Sequence, residues 1–286
     1  MSKTGQAIRV GILVVVLAAM YWPTALWMWD RWNGGDGYFS HGPFVPVVAA
    51  ILIGIKHQRL RRAEPGSVRA GLWLIGTAAA AHLFAVLWGI NFLSGLSLLP
   101  LFVGMELYFL GGARTRVLLW PTLFLFFMIP LPQVTLSWVA TESKFVAADV
   151  SVRLLQLVGY EVTGKGSYVY FPKGELLVDE VCSGLKYLFS LIAFGAFYVQ
   201  LSSLTPPRKL VLFLLAFPLA WLANVVRILT LCVVGYHWGA DKALAWYSHD
   251  LFGFVMYFLA FILMFMAESG LMIGMEKASP QVGDDD

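Results

Sequence analysis

The stretch Asp179-Glu180-Val181-Cys182-Ser183-Gly184 sets a thiol at the head of a long apolar run, and the chain has only one other cysteine, Cys232. A thiol becomes a strong nucleophile once ionised, and a nearby cation or imidazolium lowers its pKa. Arg227 in "LANVVRILT" and His249 in "WYSHDLFG" are two such groups in apolar surroundings. His249 suits the passing of a thiol proton to a leaving amine. Arg227 is always charged and carries several donors, which suits an oxyanion. Asn224, three residues before Arg227 on the same helical face, could steady it or add a donor. Gly184 would let a substrate backbone approach closely. Ser183 and Glu180 flank the thiol as supporting candidates, although Asp179 and Glu180 read better as solvated hairpin residues. Structural readings compete throughout: Cys182 as a small packing residue, Arg227 snorkelling to an interface, Asp250 beside His249 as a helix cap. Two cysteines make neither a disulfide framework nor a zinc site, and no cofactor or metal is expected. A Cys182–Cys232 disulfide is the pairing to exclude.

The elements that must position these residues are set by composition. The 286 residues are 59% hydrophobic and 13% charged, with a mean hydropathy of +0.74. A soluble domain needs more charge to cover its surface, so the chain reads as an all-α polytopic membrane protein. Apolar runs fall at 8–29, 43–55, 70–88, 92–111, 117–131, 182–203, 210–235 and 251–275. Spanning needs about 20 residues, and 43–55 and 117–131 are short and proline-flanked, so about eight spans are expected. The first run reads as an anchor rather than a cleaved signal. Lys3 and Arg9, the cluster from Lys56 to Arg69, Arg114 with Arg116, and Arg208 with Lys209 occupy alternate loops. By the positive-inside rule both termini are then cytoplasmic, and the loops at 30–42, 132–181 and 236–250 face outward.

Within 132–181 the spacing of Leu136, Val139, Phe145, Ala148, Val152, Leu155 and Val158 predicts an outward amphipathic helix. Two β-prone runs, 167–171 and 175–178, predict a short hairpin delivering the chain to Cys182 before the sixth span. Residues 1–276 read as one transmembrane domain and 277–286 as a disordered polar tail. No basic stripe interleaved with aromatics suggests nucleic acid. Cys182 opens the sixth span and His249 precedes the eighth, both at outward ends. Arg227 stands about 27 Å up the seventh from its cytoplasmic start, near the far side of a hydrocarbon layer of about 30 Å. Three reactive groups therefore share one level.

The blocks "EVCSGLKYL" at 180–188, "NVVRI" at 224–228 and "HDLFG" at 249–253 resemble the signature blocks of the exosortase/archaeosortase family. "FSHGPFVP" at 39–46 and "MIPLP" at 128–132 agree, in family order. The resemblance implies a cysteine protease-transpeptidase of the cytoplasmic membrane with Cys182, Arg227 and His249 as its catalytic trio. Its substrates would be membrane-anchored proteins ending in a short motif, a transmembrane helix and a basic tail. The cut carboxyl end would pass to an acceptor of undetermined chemistry, a lipid or a glycan. His41 matches the early block and reads as a packing or loop-ordering residue. Two other classes compete. One is a transporter with Arg227 and Glu106 as intramembrane charges, disfavoured because no inverted repeat is evident. The other is a thiol oxidoreductase, disfavoured because no C-x-x-C pair exists.

Overall fold

The structure is a computed structural model describing residues 3–35, 37–178, 185–244 and 246–276, with the side chains of 3–10, 12–14, 185–187, 244–254, 256, 257 and 274–276 outside that description. It divides into two compact units, Met1–Pro132 and Gln133–Asp286. The first holds α1 (Lys3–Trp32), α2 (Phe44–Ile55), α3 (His57–Arg62), α4 (Ala70–Leu87), α5 (Asn91–Leu96), α6 (Leu98–Leu110), α7 (Gly112–Phe124) and a 3-10 turn, Leu125–Met128. The second holds α8 (Gln133–Leu157), β1 (Thr163–Lys165), β2 (Tyr168–Phe171), β3 (Gly174–Leu177), α9 (Leu185–Leu201), α10 (Pro206–Trp238), α11 (Ala240–Leu244) and α12 (Trp246–Glu276).

Among the described residues three helical stretches are long and apolar enough to cross a membrane: Ala70–Leu87, Asn91–Leu110 and Pro206–Trp238. Gly112–Met128 and Gln133–Leu157 make a fourth if they form one broken span. Phe44–Ile55, Leu188–Leu201 and Phe258–Ile273 are shorter apolar helices. The described residues thus form a mostly helical membrane protein with three to four candidate full-length spans, and the eight or so expected are not confirmed among them. Length explains part of the difference. The 12 residues of α2 reach about 18 Å at 1.5 Å per residue, short of a 30 Å hydrocarbon layer.

Glycine contacts tie the first unit together. A Cβ on Gly71 of α4 would meet the Gly104 carbonyl oxygen of α6 at 2.5 Å, and one on Gly104 would meet the Gly71 carbonyl at 2.9 Å. Small residues let backbones approach closely where lipid supplies no hydrophobic drive between helices. Gly71→Ala should therefore lower the thermal midpoint in detergent, overpacking of this kind costing about 1–3 kcal/mol. Gly76→Ala on the same helix has open space around it and should be neutral. Equal midpoints for the two variants would remove the close crossing as a stabilising feature. A buried polar layer adds to it. Thr24 and His82 both hydrogen-bond the Ser94 hydroxyl, at 2.6 and 2.9 Å, and Tyr21 meets Ser97 at 2.8 Å.

The second unit is built round α10. Ala148, Val152 and Leu155 of α8, Val169, Phe171 and Leu176 of the sheet, Val178, and Val225, Ile228, Leu231 and Cys232 of α10 form one buried core. A Cβ at Gly235 would come within 2.6 Å of the Phe171 ring, so only glycine lets the sheet lie this close to α10. The expected amphipathic helix is present as α8, with Leu136, Ala148, Val152 and Leu155 buried. Phe145 and Val158, assigned to the same face, are 38% and 77% exposed. The expected hairpin is present as β2 and β3, and a third strand joins it in the antiparallel order β1-β2-β3. Gly166, at φ +63, supplies the left-handed residue of the two-residue turn that folds β1 onto β2.

Candidate functional site

Arg227 is fully buried, at 0% exposure, and Asn224 one turn earlier is 3% exposed. The sequence alone allowed Arg227 to snorkel to an interface; instead it lies in the interior of the second unit. Removing a guanidinium from water costs several kcal/mol even after relaxation. Such a residue is expected at a working site rather than on a passive face. The residues on either side of it, Val225, Val226 and Ile228, pack into the cores that α10 shares with its neighbours.

Cys182, Glu180, Ser183 and Gly184 lie outside the described residues. The elements that bracket them do not. Val178, just past β3, is 1% exposed in the same core as Val225 and Ile228 of α10. On the other side, α9 begins at Leu185 and runs antiparallel to α10. A Cβ on Gly195 would touch the Ala216 Cβ at 3.2 Å. One turn away in each direction, Leu191 shares a core with Ala220, and Val199 with Leu212. Each step back along α9 is matched by a step forward along α10. Continued to the first residue of α9, this register would bring the backbone of Leu185 level with Val226, immediately before Arg227.

Helix α12 runs parallel to α9. The Phe194 and Phe261 rings lie 4.4 Å apart, and those of Tyr198 and Phe265 4.8 Å apart. The same interval separates Leu185 from Phe252, so this register puts the backbones of Leu185 and Phe252 at one level. Cys182 precedes Leu185 by three residues, and His249 precedes Phe252 by three. The backbone of His249 belongs to α12; its side chain is outside the description. The Tyr198 hydroxyl donates to the Glu268 carboxylate, a side chain only 8% exposed, and so fastens the α9–α12 register at its far end. Sequence reasoning passed over Glu268, although an ionisable residue inside the apolar run 251–275 was the signal that could have found it.

Cys232 is fully buried in the core that α10 forms with α8 and the sheet. Ser151 of α8, also fully buried, faces the same core and was not singled out from sequence. In the first unit, Glu106 accepts a hydrogen bond from the Thr122 hydroxyl at 2.5 Å, which ties α6 to α7.

His41 sits in the turn between α1 and α2, half-buried, with the Phe39 ring 6.1 Å away. Its imidazole hydrogen-bonds the Phe127 backbone. Trp32 donates to the Met128 carbonyl at 2.8 Å, so this turn rests on the Leu125–Met128 turn. Burial pushes the His41 pKa below its ordinary 6.5, with the Phe127 hydrogen bond opposing. The folded protein thus favours the neutral ring, while the unfolded chain titrates near its ordinary value. The resulting stability is complete above that value and is lost as pH falls through it toward the depressed folded pKa. The thermal midpoint of the wild type should fall more steeply below about pH 6.5 than that of His41→Gln. Parallel profiles would show that His41 is not the titrating group.

A family model described as transmembrane exosortase (Exosortase_EpsH) matches residues 29–266. No curated protein and no solved structure matches the chain. The matched span takes in the turn of His41, the strands that lead to Cys182, all of α9 and α10, and α12 as far as Met266. The chain belongs to the transmembrane exosortase family.

Proposed function

We propose that this exosortase is a membrane-embedded cysteine protease-transpeptidase that cuts C-terminal sorting signals from secreted proteins. In this reading the Cys182 sulfur attacks the scissile carbonyl carbon while His249 takes the thiol proton. The Arg227 guanidinium holds the negative oxygen of the tetrahedral intermediate. Collapse breaks the C–N bond, the leaving amine takes the proton from His249, and a thioester remains on Cys182. An acceptor nucleophile, on a lipid or a glycan, then attacks the thioester, gives its proton to His249 and frees the thiolate. Asn224 steadies Arg227, and Glu180, Ser183 and Gly184 border the substrate.

The observation that carries this reading is the pair of helix registers. They bring the backbones of Leu185 and Phe252 level with the turn of the buried Arg227, and in the sequence Cys182 precedes Leu185, and His249 precedes Phe252, by three residues. A substrate anchored by its own transmembrane helix and stopped by a basic tail would bring its scissile bond to a fixed depth, which lowers the entropic cost of attack. The reading sets the protein in the cytoplasmic membrane with both termini inside and the thiol at the outer surface.

The test is co-expression with a secreted reporter that ends in a short polar motif, one hydrophobic helix and an Arg/Lys cluster taken from the same genome. The wild type should release a shortened reporter whose new C-terminus, read by mass spectrometry, is free or joined to an acceptor. Reporters from that genome that all remain at full length would overturn the reading.

A further inference from the structure

The first unit carries a charged surface that the proposed chemistry does not use. Arg59, Arg61 and Arg62 lie on or beside α3, and Arg69 directly precedes α4. Arg114 and Arg116 lie in the first turns of α7. These two segments, distant in sequence, are bound together. The Arg114 Nε donates to the Ala63 carbonyl at 3.2 Å. The Gly66 N–H donates to Leu110 at 3.1 Å, and the Val68 N–H to Leu107 at 2.9 Å. A Cβ on Gly111, which has φ +85, would stand 2.7 Å from the Gly66 Cα, so only glycine at 111 allows this approach. Arg59, Arg61, Arg62, Arg69 and Arg116 are exposed. Against the six arginines, residues 56–69 and 111–116 contain one acid, Glu64.

Topology signals alone need no such assembly, because positive charge in separate flexible loops orients a chain equally well. Here backbone hydrogen bonds hold the cations on one fixed platform. Like charges within a Debye length, about 10 Å at 0.1 M salt, repel one another unless an anion joins them. The platform lies where α4 begins and α6 ends, both membrane-spanning by length and hydropathy, so it meets the headgroup layer. Guanidinium forks match phosphate oxygens in pairs, and juxtamembrane clusters of four to eight cations favour anionic lipid.

We propose that Arg59–Arg69 together with Arg114 and Arg116 form a headgroup site for an anionic phospholipid, which bridges the two segments through its phosphate. The test uses the purified full chain in nanodiscs of mixed phosphatidylglycerol and phosphatidylcholine, with the lipids retained on release counted by native mass spectrometry. The wild type should retain phosphatidylglycerol in preference. The combined variant Arg61→Gln, Arg62→Gln, Arg114→Gln, Arg116→Gln should lose at least about tenfold of that preference. The matching Arg→Lys variant keeps the charge and therefore the insertion, and should lose about threefold because the planar fork is gone. A preference unchanged in either variant overturns the site. So does its abolition by millimolar inorganic phosphate, which would mark a soluble-anion site instead.

Discussion

Cys182→Ala should leave a sorting-signal reporter uncut in the membrane, with processing down by at least about a thousandfold, the scale on which loss of a covalent nucleophile registers. Alanine removes the sulfur and little else, so the variant should still insert, and it should still co-purify with the intact reporter it no longer turns over. Cys182→Ser should be nearly as inactive. A hydroxyl is far less acidic than a thiol, and the surroundings proposed here are suited to a thiolate. Thiol labelling of the wild type adds an independent reading: Cys182 should react, and Cys232, fully buried, should not. Normal trimming by Cys182→Ala ends the acyl-transfer mechanism, whatever the family. An oxidised Cys182–Cys232 pair would favour the oxidoreductase reading.

Arg227→Lys should lower the turnover number by about a hundred- to a thousandfold, the usual cost of losing an oxyanion donor, while the substrate concentration for half-maximal rate moves little. The ammonium keeps the charge but loses the fork, so a purely electrostatic or packing role would survive the exchange. The two readings separate cleanly. Arg227 is wholly buried, and if it serves only the fold, then Arg227→Met, of similar length, should preserve processing along with the thermal midpoint; replacing buried charge by well-packed apolar side chains is often neutral for stability. The catalytic reading instead expects Arg227→Met to be inactive even where its midpoint is close to that of the wild type.

Much of this organisation was legible in the sequence because membrane chains are governed by few rules. Hydropathy marked α4, α6 and α10 as spans, helical spacing gave most of the buried face of α8, and β-prone runs gave β2 and β3. The misses have physical causes. The run at 43–55 was apolar but too short, and α2 ends as a 12-residue helix. Strand β1 escaped because Thr163-Gly164-Lys165 has no alternation of its own and forms only when Gly166 turns it back onto β2. The environment of Arg227 was left open, since counting residues along a helix says nothing of burial, which depends on what α8 and α9 bring to the same place. The registers of α9 with α10 and α12 were beyond sequence reasoning altogether, because ring pairs such as Phe194–Phe261 and glycine contacts such as Gly195–Ala216 belong to the packed state.

The hydroxyl of Tyr198 on the carboxylate of Glu268 stands at the opposite end of α9 from the reacting thiol proposed here, yet with the Phe194–Phe261 and Tyr198–Phe265 ring pairs it holds α9 and α12 in register. Slippage of one helix past the other by a single turn moves everything beyond it by about 5.4 Å, while an error of about 1 Å at reacting atoms can cost a hundredfold in rate. In the proposed reading, precision at the thiol thereby draws on a clasp at the far end of the same helix, and an enzyme of this design would carry one of its most activity-sensitive carboxylates far from the bond it cuts.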